Sequence, residues 1–151
     1  MRNGTKIEIF TEGDEKEIIR LLSEADLPTE DLTLDKPKNF LVARGKGGSV
    51  IGTIGVEPYQ DIGLLRSLVV DPSHRGKGLG KQLVDELPSF GKRKGIKALF
   101  LLTIGAAGFF KRLGYEVTQR SLVPAPIAVT EEFKNIAPVS AICLFKNLES
   151  S

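Results

Sequence analysis

The stretch from Ser67 to Gly80, SLVVDPSHRGKGLG, is the part of the chain that most constrains its fold. It opens as an apolar, β-branched run that is typical of the end of a buried strand. The strand stops at Asp71-Pro72, because proline cannot donate to a strand ladder. Three glycines then fall within five residues before a helical pattern begins, and they are costly there unless a backbone or a ligand must come close. The sequence therefore predicts a strand, a tight glycine loop and a helix in succession.

This loop has the chemistry of an anion cradle. Unpaired N–H groups and the positive end of the dipole attract anions to a helix N-terminus, and three cations stand at the same place. A glycine-rich turn that only opens a surface helix is the alternative, but such a turn needs one glycine rather than three. We therefore predict a pyrophosphate cradle formed by Arg75, Gly76, Lys77, Gly78, Leu79, Gly80 and Lys81.

Two familiar phosphate loops do not match. Only three residues separate Gly76 from Gly80, and Gln82 follows Lys81 where a nucleoside-triphosphate loop needs a hydroxyl for Mg²⁺. The dinucleotide fingerprint requires GxGxxG after an early βαβ unit, whereas this loop is one residue short. The sequence thus disfavours both nucleotide classes.

Composition favours a single domain over residues 1–151, with a net charge of +2 that is too small for a nucleic-acid surface. One histidine and one cysteine leave no metal cluster and no internal disulfide. Ala98 to Phe110 is too short and too broken by glycine to span a membrane, and the first residues lack the pattern of a secretory leader. We expect a cytoplasmic protein without a nucleic-acid or membrane partner.

The order of predicted elements gives a mixed α/β sheet. The connection from the fourth strand to the fifth is a right-handed crossover, which makes these two strands parallel neighbours. The predicted strands are Lys6–Phe10, Phe40–Ala43, Val50–Val56, Gly63–Val70, Ile96–Leu102, Tyr115–Thr118 and Val139–Phe145. A first helix is predicted after a capping box at Asp14–Glu17, and a second from Gly78 to about Lys94, with a kink or an early end at Pro88 and a C-cap at Gly95. Shorter helices are predicted over Ala106–Leu113 and Thr130–Asn135. The remaining predictions are a loop or short helix over Asp26–Leu34 and a turn over Pro58–Asp61.

At these residues the chain resembles the GNAT superfamily of acetyl-CoA-dependent N-acetyltransferases. The resemblance rests on Arg-Gly-x-Gly-x-Gly after Val-Asp-Pro, and on Phe109-Phe110-x-x-Leu113-Gly114-Tyr115. It implies a mixed, mostly antiparallel central sheet flanked by helices, with splayed parallel fourth and fifth strands. It also implies acetyl-CoA as cosubstrate.

Five further motifs carry a finer resemblance, and they are Leu27–Leu32, Gly55–Tyr59, Gly63–Leu68, Leu101–Thr103 and Ser140-Ala141. They resemble the arsenic-resistance N-acetyltransferase family over nearly the whole chain and, less closely, the acetyltransferase domain of N-acetylglutamate synthases. Both imply acetyl transfer to the amine of a small amino acid such as glutamate, and the arsenic-linked family implies arsinothricin or phosphinothricin. We expect a monomer or homodimer.

The superfamily resemblance also implies roles for the end of the fourth strand. The backbone of Leu68, Val69 and Val70 would bind the pantetheine arm, and the Leu68 N–H would polarise the acetyl carbonyl. The usual general acid is a tyrosine, but Phe110 stands at that position and has no proton to give. The thiolate would then take its proton from water or from the attacking ammonium. A non-catalytic acyl-CoA-binding sensor or scaffold is the alternative function.

Arg66 is the predicted substrate-binding residue, because an arginine inside an apolar strand needs an anionic partner. Strand alternation places it on the face of Leu68 and Val70. The partner is either a substrate carboxylate or arsinate, or Glu57 in an internal ion pair. Glu57 is correspondingly either a general base or the partner of Arg66. The other predicted substrate contacts, each of which could equally be structural, are Ser67, Tyr59 and Thr103.

Overall fold

Seven strands and four α-helices lie in the residues that the computed structural model describes, which are 6–25, 39–119, 122–128 and 141–148. The strands are β1 (Lys6–Ile9), β2 (Phe40–Arg44), β3 (Val50–Tyr59), β4 (Ile62–Val70), β5 (Ala98–Thr103), β6 (Glu116–Thr118) and β7 (Ile142–Asn147). The helices are α1 (Glu15–Glu24), α2 (Leu79–Arg93), α3 (Ala107–Arg112) and α4 (Ala125–Ala128). The seven strands of these residues form one sheet in the order β1-β2-β3-β4-β5-β7-β6. No helix among them combines the length and the apolar composition that a membrane crossing requires.

Contacts divide the chain into two compact units, of which the first comprises Met1–Glu57 and Arg66–Leu87. Its strands β1, β2 and β3 are antiparallel neighbours, with Lys6 opposite Arg44 and Phe40 opposite Gly55. The buried face of α1 contributes Ile18, Leu21 and Leu22 to a core that also contains Phe40, Val42, Val50 and Val69. Burial of these side chains is the main term that holds α1 on this unit.

The second unit comprises Pro58–Leu65 and Pro88–Ser151. Here the first part of β4 pairs parallel with β5, from Ile62 opposite Ala98 to Leu64 opposite Phe100. Strand β7 is antiparallel to both β5 and β6. The core of this unit contains Leu64, Phe100, Val123, Ile127 and Cys143. The predicted mixed sheet and its parallel pair are therefore confirmed.

The structure tests the predictions made for Pro88 and Gly95. Helix α2 continues through Pro88 to Arg93, so the predicted early end is wrong. Gly95 is the predicted C-cap: its φ is 83°, its N–H donates to Lys92 O at 3.0 Å, and Ile96 N–H donates to Gly91 O at 2.9 Å. These are the two bonds of a Schellman motif.

Other bounds also differ from prediction. Pro58 lies in β3 rather than in a turn, and the chain reverses at Gln60, which has a φ of 63°. The predicted loop over Asp26–Leu34 and the predicted helix over Thr130–Asn135 lie outside the described residues, as do the Leu27–Leu32 motif and Ser140.

The predicted capping box at Asp14–Glu17 is wrong, because Asp14 uses its carboxylate elsewhere. Asp14 precedes α1 with helical backbone angles and makes no side-chain cap bond to it. Its Oδ2 instead accepts from the N–H of Thr11 at 2.9 Å. Arg44 donates to both carboxylate oxygens, at 2.8 and 2.7 Å, and donates from Nε to Glu8 at 2.7 Å. A short 3-10 turn over Glu12–Asp14 thus ties α1 to β2 through a bidentate ion pair.

This pair predicts an acid-sensitive fold. The hydrogen bonds from Arg44 lower the pKa of Asp14 against the opposing effect of burial. A carboxyl with a depressed folded-state pKa stabilises the fold fully above its unfolded value of about 3.9, and that stabilisation is lost as pH falls through the folded-state pKa. We expect Asp14→Asn to lower the free energy of unfolding by about 2 to 3 kcal/mol at pH 7, and the difference from the natural protein to shrink below pH 4. Urea denaturation of both proteins at pH 7 and at a pH below 4 measures this difference in the free energy of unfolding.

The exposed pair of Glu17 with Arg20, at 3.4 Å, is the matched control. Glu17→Gln should cost less than about 0.5 kcal/mol at either pH. A pH-independent effect of Asp14→Asn would contradict the electrostatic explanation.

Candidate active site

Strand β4 carries an irregularity at Ser67. Its φ is 61° in the middle of the strand, a left-handed conformation that costs a non-glycine residue roughly 1 to 2 kcal/mol. Such a residue interrupts the alternation of side chains along a strand. Simple alternation of side chains therefore does not support the prediction that Arg66, Leu68 and Val70 share one face of the strand. The polar pair Arg66-Ser67 inside an apolar run was the only sequence feature that could have indicated this.

Arg66 and Glu57 form a buried ion pair. The contact joins Arg66 Nη1 to Glu57 Oε2, and the two side chains retain only 3% and 10% of their accessible surface. Arg66 Nε also donates to Ser67 Oγ at 3.0 Å. Taking both charges out of water is expensive, and their mutual attraction offsets part of that cost. The ion pair that the sequence left as one of two alternatives is thus formed, and it fixes the guanidinium beside Ser67.

The backbone at Leu68, Val69 and Val70 follows directly. Val69 is buried, whereas Leu68 and Val70 are half-buried. The Val70 carbonyl accepts from Arg75 Nε at 3.0 Å. A carbonyl oxygen has two lone pairs, so this bond leaves the Val70 oxygen capacity for a second donor while it holds Arg75 over the end of the strand.

The glycine loop owes its composition to backbone conformation. Gly76 and Gly78 have φ values of 80° and 81°, and among the described atoms a Cβ built on either would meet nothing within 4 Å. These two glycines are therefore required by the left-handed angles and not by crowding. Gly80, by contrast, lies in the first turn of α2. Only two of the three glycines thus shape the loop.

The loop is held against β3 of the same unit. Asp71 N–H donates to Ile51 O at 2.8 Å, and the Asp71 side chain accepts from Ser73 N–H at 3.3 Å. Gly52 makes room here, because a Cβ on it would lie 3.3 Å from Val69 O and 3.2 Å from the side chain of Leu83. The loop therefore leaves the strand at a fixed angle. His74 lies in the short 3-10 turn Pro72–His74 and is half-buried.

The exposed surface of this loop fits an anion. Arg75, Gly76, Lys77 and Gly78 are all exposed, and the first N–H groups of α2 have no partner within the helix. Lys81 is also exposed and pairs with Asp85 at 2.7 Å. Open glycine backbone, helix N–H donors and cations together match the charge and shape of a pyrophosphate.

The other predicted site residues belong to the second unit. Phe110 is buried and packs edge-on against Phe109 and Tyr115, with ring centroids 5.1 and 5.5 Å apart. Tyr59 packs against the core around Leu64. Thr103 is half-buried at the end of β5, opposite Ile142. Glu57, Arg66 to Val70 and the glycine loop therefore lie in the first unit. Tyr59, Thr103 and Phe110 lie in the second unit.

The chain matches the family described as the acetyltransferase (GNAT) domain over residues 36–117. It is 35% identical over 91 residues to a protein of Chlorobaculum tepidum described as an uncharacterized N-acetyltransferase, a match that covers 60% of this chain and 57% of that protein. An amino-acid acetyltransferase of Pseudomonas fluorescens is 34% identical over 65 residues, covering 43% of this chain and 15% of its own length. The chain thus spans less than two thirds of these curated relatives.

Solved structures of similar shape cover nearly the whole chain. N-acetylglutamate synthase from Neisseria gonorrhoeae, complexed with coenzyme A and L-arginine, superposes with a TM-score of 0.81 at 18% identity over 99% of this chain and 34% of that chain. A Mycobacterium tuberculosis protein solved in complex with CoA gives 0.80 at 20% identity over 94% of this chain and 98% of that chain. At these identities the likeness establishes the fold.

Proposed function

Because the chain belongs to the GNAT acetyltransferase family, we propose that it transfers an acetyl group from acetyl-CoA to the amino group of a small amino-acid-like substrate. The observation that carries the proposal is the exposed loop at the start of α2, with left-handed glycines at 76 and 78 beside Arg75 and Lys77. This loop offers the pyrophosphate of coenzyme A its backbone donors, and it follows the strand end directly. Relatives described as amino-acid acetyltransferases support the class of acceptor.

The proposed division of labour follows the chain. Backbone groups of Leu68, Val69 and Val70 hold the pantetheine arm, and the Leu68 N–H polarises the acetyl carbonyl, whose developing negative charge a fixed donor stabilises. Arg66 binds an acidic group of the substrate, and Glu57 accepts the proton of the attacking amine. Ser67, Tyr59 and Thr103 are proposed as further substrate contacts. The candidate substrates are glutamate, phosphinothricin and arsinothricin, the last of which would make the chain an arsenic-resistance enzyme. We place the protein in the cytoplasm as a monomer or homodimer.

A turnover assay tests this proposal. Incubation with acetyl-CoA and each of the three amino acids should release free thiol, and mass spectrometry should show the N-acetyl product of at least one of them. The N-methylated form of the same amino acid is a control for steric crowding at the acceptor nitrogen. If no amine is acetylated while acetyl-CoA still binds, the activity is wrong.

That outcome would favour the second candidate, a non-catalytic acyl-CoA-binding sensor or scaffold. One observation favours it: Phe110, at the position of the family's tyrosine acid, is buried at 4% exposure within aromatic packing. Phenylalanine carries no acidic proton, so this residue cannot protonate a thiolate.

Phe110→Tyr is expected not to raise kcat. The added hydroxyl enters packed aromatic surroundings, and burying it without a partner costs about 1 to 3 kcal/mol, so the melting temperature should fall. Phe109→Tyr, on the half-buried neighbour, is the matched control and should leave both quantities near those of the natural protein. A several-fold rise in kcat for Phe110→Tyr would instead show that thiolate protonation limits the rate.

A further inference from the structure

Gly52 is buried in β3, and its reason for being glycine differs from that of the left-handed glycines in the loop. Its φ is not in the left-handed region, so its backbone conformation does not require glycine. A Cβ built on it, however, would lie 3.2 Å from Leu83 Cδ1, 3.3 Å from Val69 O and 3.4 Å from Leu79 Cδ2. The missing side chain therefore lets helix α2 and strand β4 approach β3 at the same point.

The two elements that meet over Gly52 are those that the proposed cosubstrate site joins. Val69 lies one residue before the end of β4, where the backbone is proposed to hold the pantetheine arm. Leu79 is the first residue of α2, which offers its N–H groups to the pyrophosphate. We infer that Gly52 is a positioning residue for acetyl-CoA, because its lack of a side chain sets the distance between these two binding elements. This inference rests on the proposed function.

Acetyl-CoA makes this distance important, because one molecule has to reach both elements. Its pantetheine arm and its pyrophosphate are covalently linked, so both groups must find their partners within the length of a single ligand. Linked contacts add to affinity only where the geometry lets them form together. A change in the separation of the strand end and the helix start should therefore weaken binding, even if each element keeps its own structure.

Helix α2 is the neighbour that an added methyl should displace. Strands β3 and β4 are hydrogen-bonded neighbours in the sheet, which limits the movement of Val69 O. Leu79 and Leu83 are 6% and 0% exposed, so their side chains have little free volume into which to rotate. Because a close-packed interior transmits strain, the methyl should push the start of α2 away from β3, and the N–H groups there should move with it.

Binding of acetyl-CoA to Gly52→Ala tests the inference. Isothermal titration calorimetry should give a dissociation constant about 10-fold above that of the natural protein. The titrations are made in buffer that contains sucrose, which strengthens burial and keeps a destabilised variant folded. An unchanged dissociation constant in Gly52→Ala would overturn the inference. Absence of binding to the natural protein would instead refute the proposed cosubstrate site.

Gly45→Ala is the matched control, because it crowds a different part of the same unit. A Cβ on Gly45 would lie 3.3 Å from two side-chain atoms of Ile51, and the three nearest atoms all belong to that residue rather than to α2 or β4. The φ of Gly45 is −91°, which suits alanine. Gly45→Ala should lower the melting temperature and leave the affinity for acetyl-CoA unchanged. An equal loss of affinity in both variants would overturn the inference, since instability alone would then weaken binding.

A compensating variant tests whether displacement of the helix is the cause. Gly52→Ala/Leu83→Val adds a carbon at position 52 and removes a carbon at position 83, where Cδ1 makes the closest contact. The volume of the core is thereby conserved. We expect the double variant to restore the dissociation constant to within about threefold of that of the natural protein. A loss that persists in the double variant would overturn the assignment of Gly52 as the residue that positions α2.

Discussion

Arg66→Ala is expected to destabilise the protein by about 3 to 5 kcal/mol, because it breaks a buried ion pair by removing one of its two charges. The two side chains retain only 3% and 10% of their surface, so the pair lies in a largely desolvated place. This effect is large compared with the total stability of an ordinary domain, about 5 to 15 kcal/mol. Chemical denaturation at 25 °C measures it.

A double variant separates this structural role from the proposed catalytic one. Replacing a buried ion pair by apolar side chains of similar volume is often neutral or stabilising. We therefore expect Glu57→Leu/Arg66→Met to recover stability to within about 1 kcal/mol of the natural protein. Its kcat/KM for the best amino-acid substrate should nevertheless stay at least about 100-fold low, because the charge-assisted contacts that bind and orient the substrate are gone.

Arg20→Ala is the control, since Arg20 pairs with Glu17 and Glu24 on the exposed face of α1. Its loss should cost less than about 0.5 kcal/mol and leave turnover unchanged. Full activity in the folded double variant would mean that the pair only stabilises the fold. Acetyl-CoA affinity should be unchanged in the double variant, which confirms that the cosubstrate site survives.

Much of the fold was predictable because its strongest elements are encoded locally. The apolar run before Thr103, the glycine at 95 and the periodic leucines of α2 each specify a conformation within a few residues. The failures are cases in which tertiary contacts override a local pattern. Asp14 fits a capping box, but Arg44, thirty residues later, offers it two charge-assisted bonds.

The candidate site was less predictable, for the same reason. The sequence indicated a glycine loop and an arginine that needs an anion, but it could not choose between Glu57 and a substrate. That choice depends on two neighbouring strands meeting in register. The left-handed conformation of Ser67 is marked in the sequence only by a polar pair within an apolar run, since only glycine, asparagine and aspartate adopt that conformation readily enough to be recognised.

Acetyl-CoA should raise the melting temperature of the natural protein, and Gly78→Glu should abolish the increase. A ligand that binds only the folded state at 100 times its dissociation constant adds about 2.7 kcal/mol, which corresponds to roughly 5 to 10 °C for a chain of this size. The φ of Gly78 is 81°, and its Cα faces open space within the described structure. A glutamate there puts bulk and negative charge where the phosphates would lie, beside the N–H donors that α2 offers them.

Gly47→Glu is the matched control for this experiment. Gly47 has a φ of 79°, is exposed and would also meet nothing within 4 Å among the described atoms, but it lies in the β2–β3 turn. Both variants therefore have the same change of charge and the same left-handed strain of about 1 to 2 kcal/mol, and both should melt earlier without ligand. Only Gly47→Glu should retain the increase with acetyl-CoA. A retained increase in Gly78→Glu, or none in the natural protein at millimolar acetyl-CoA, would show that the loop does not bind the cosubstrate.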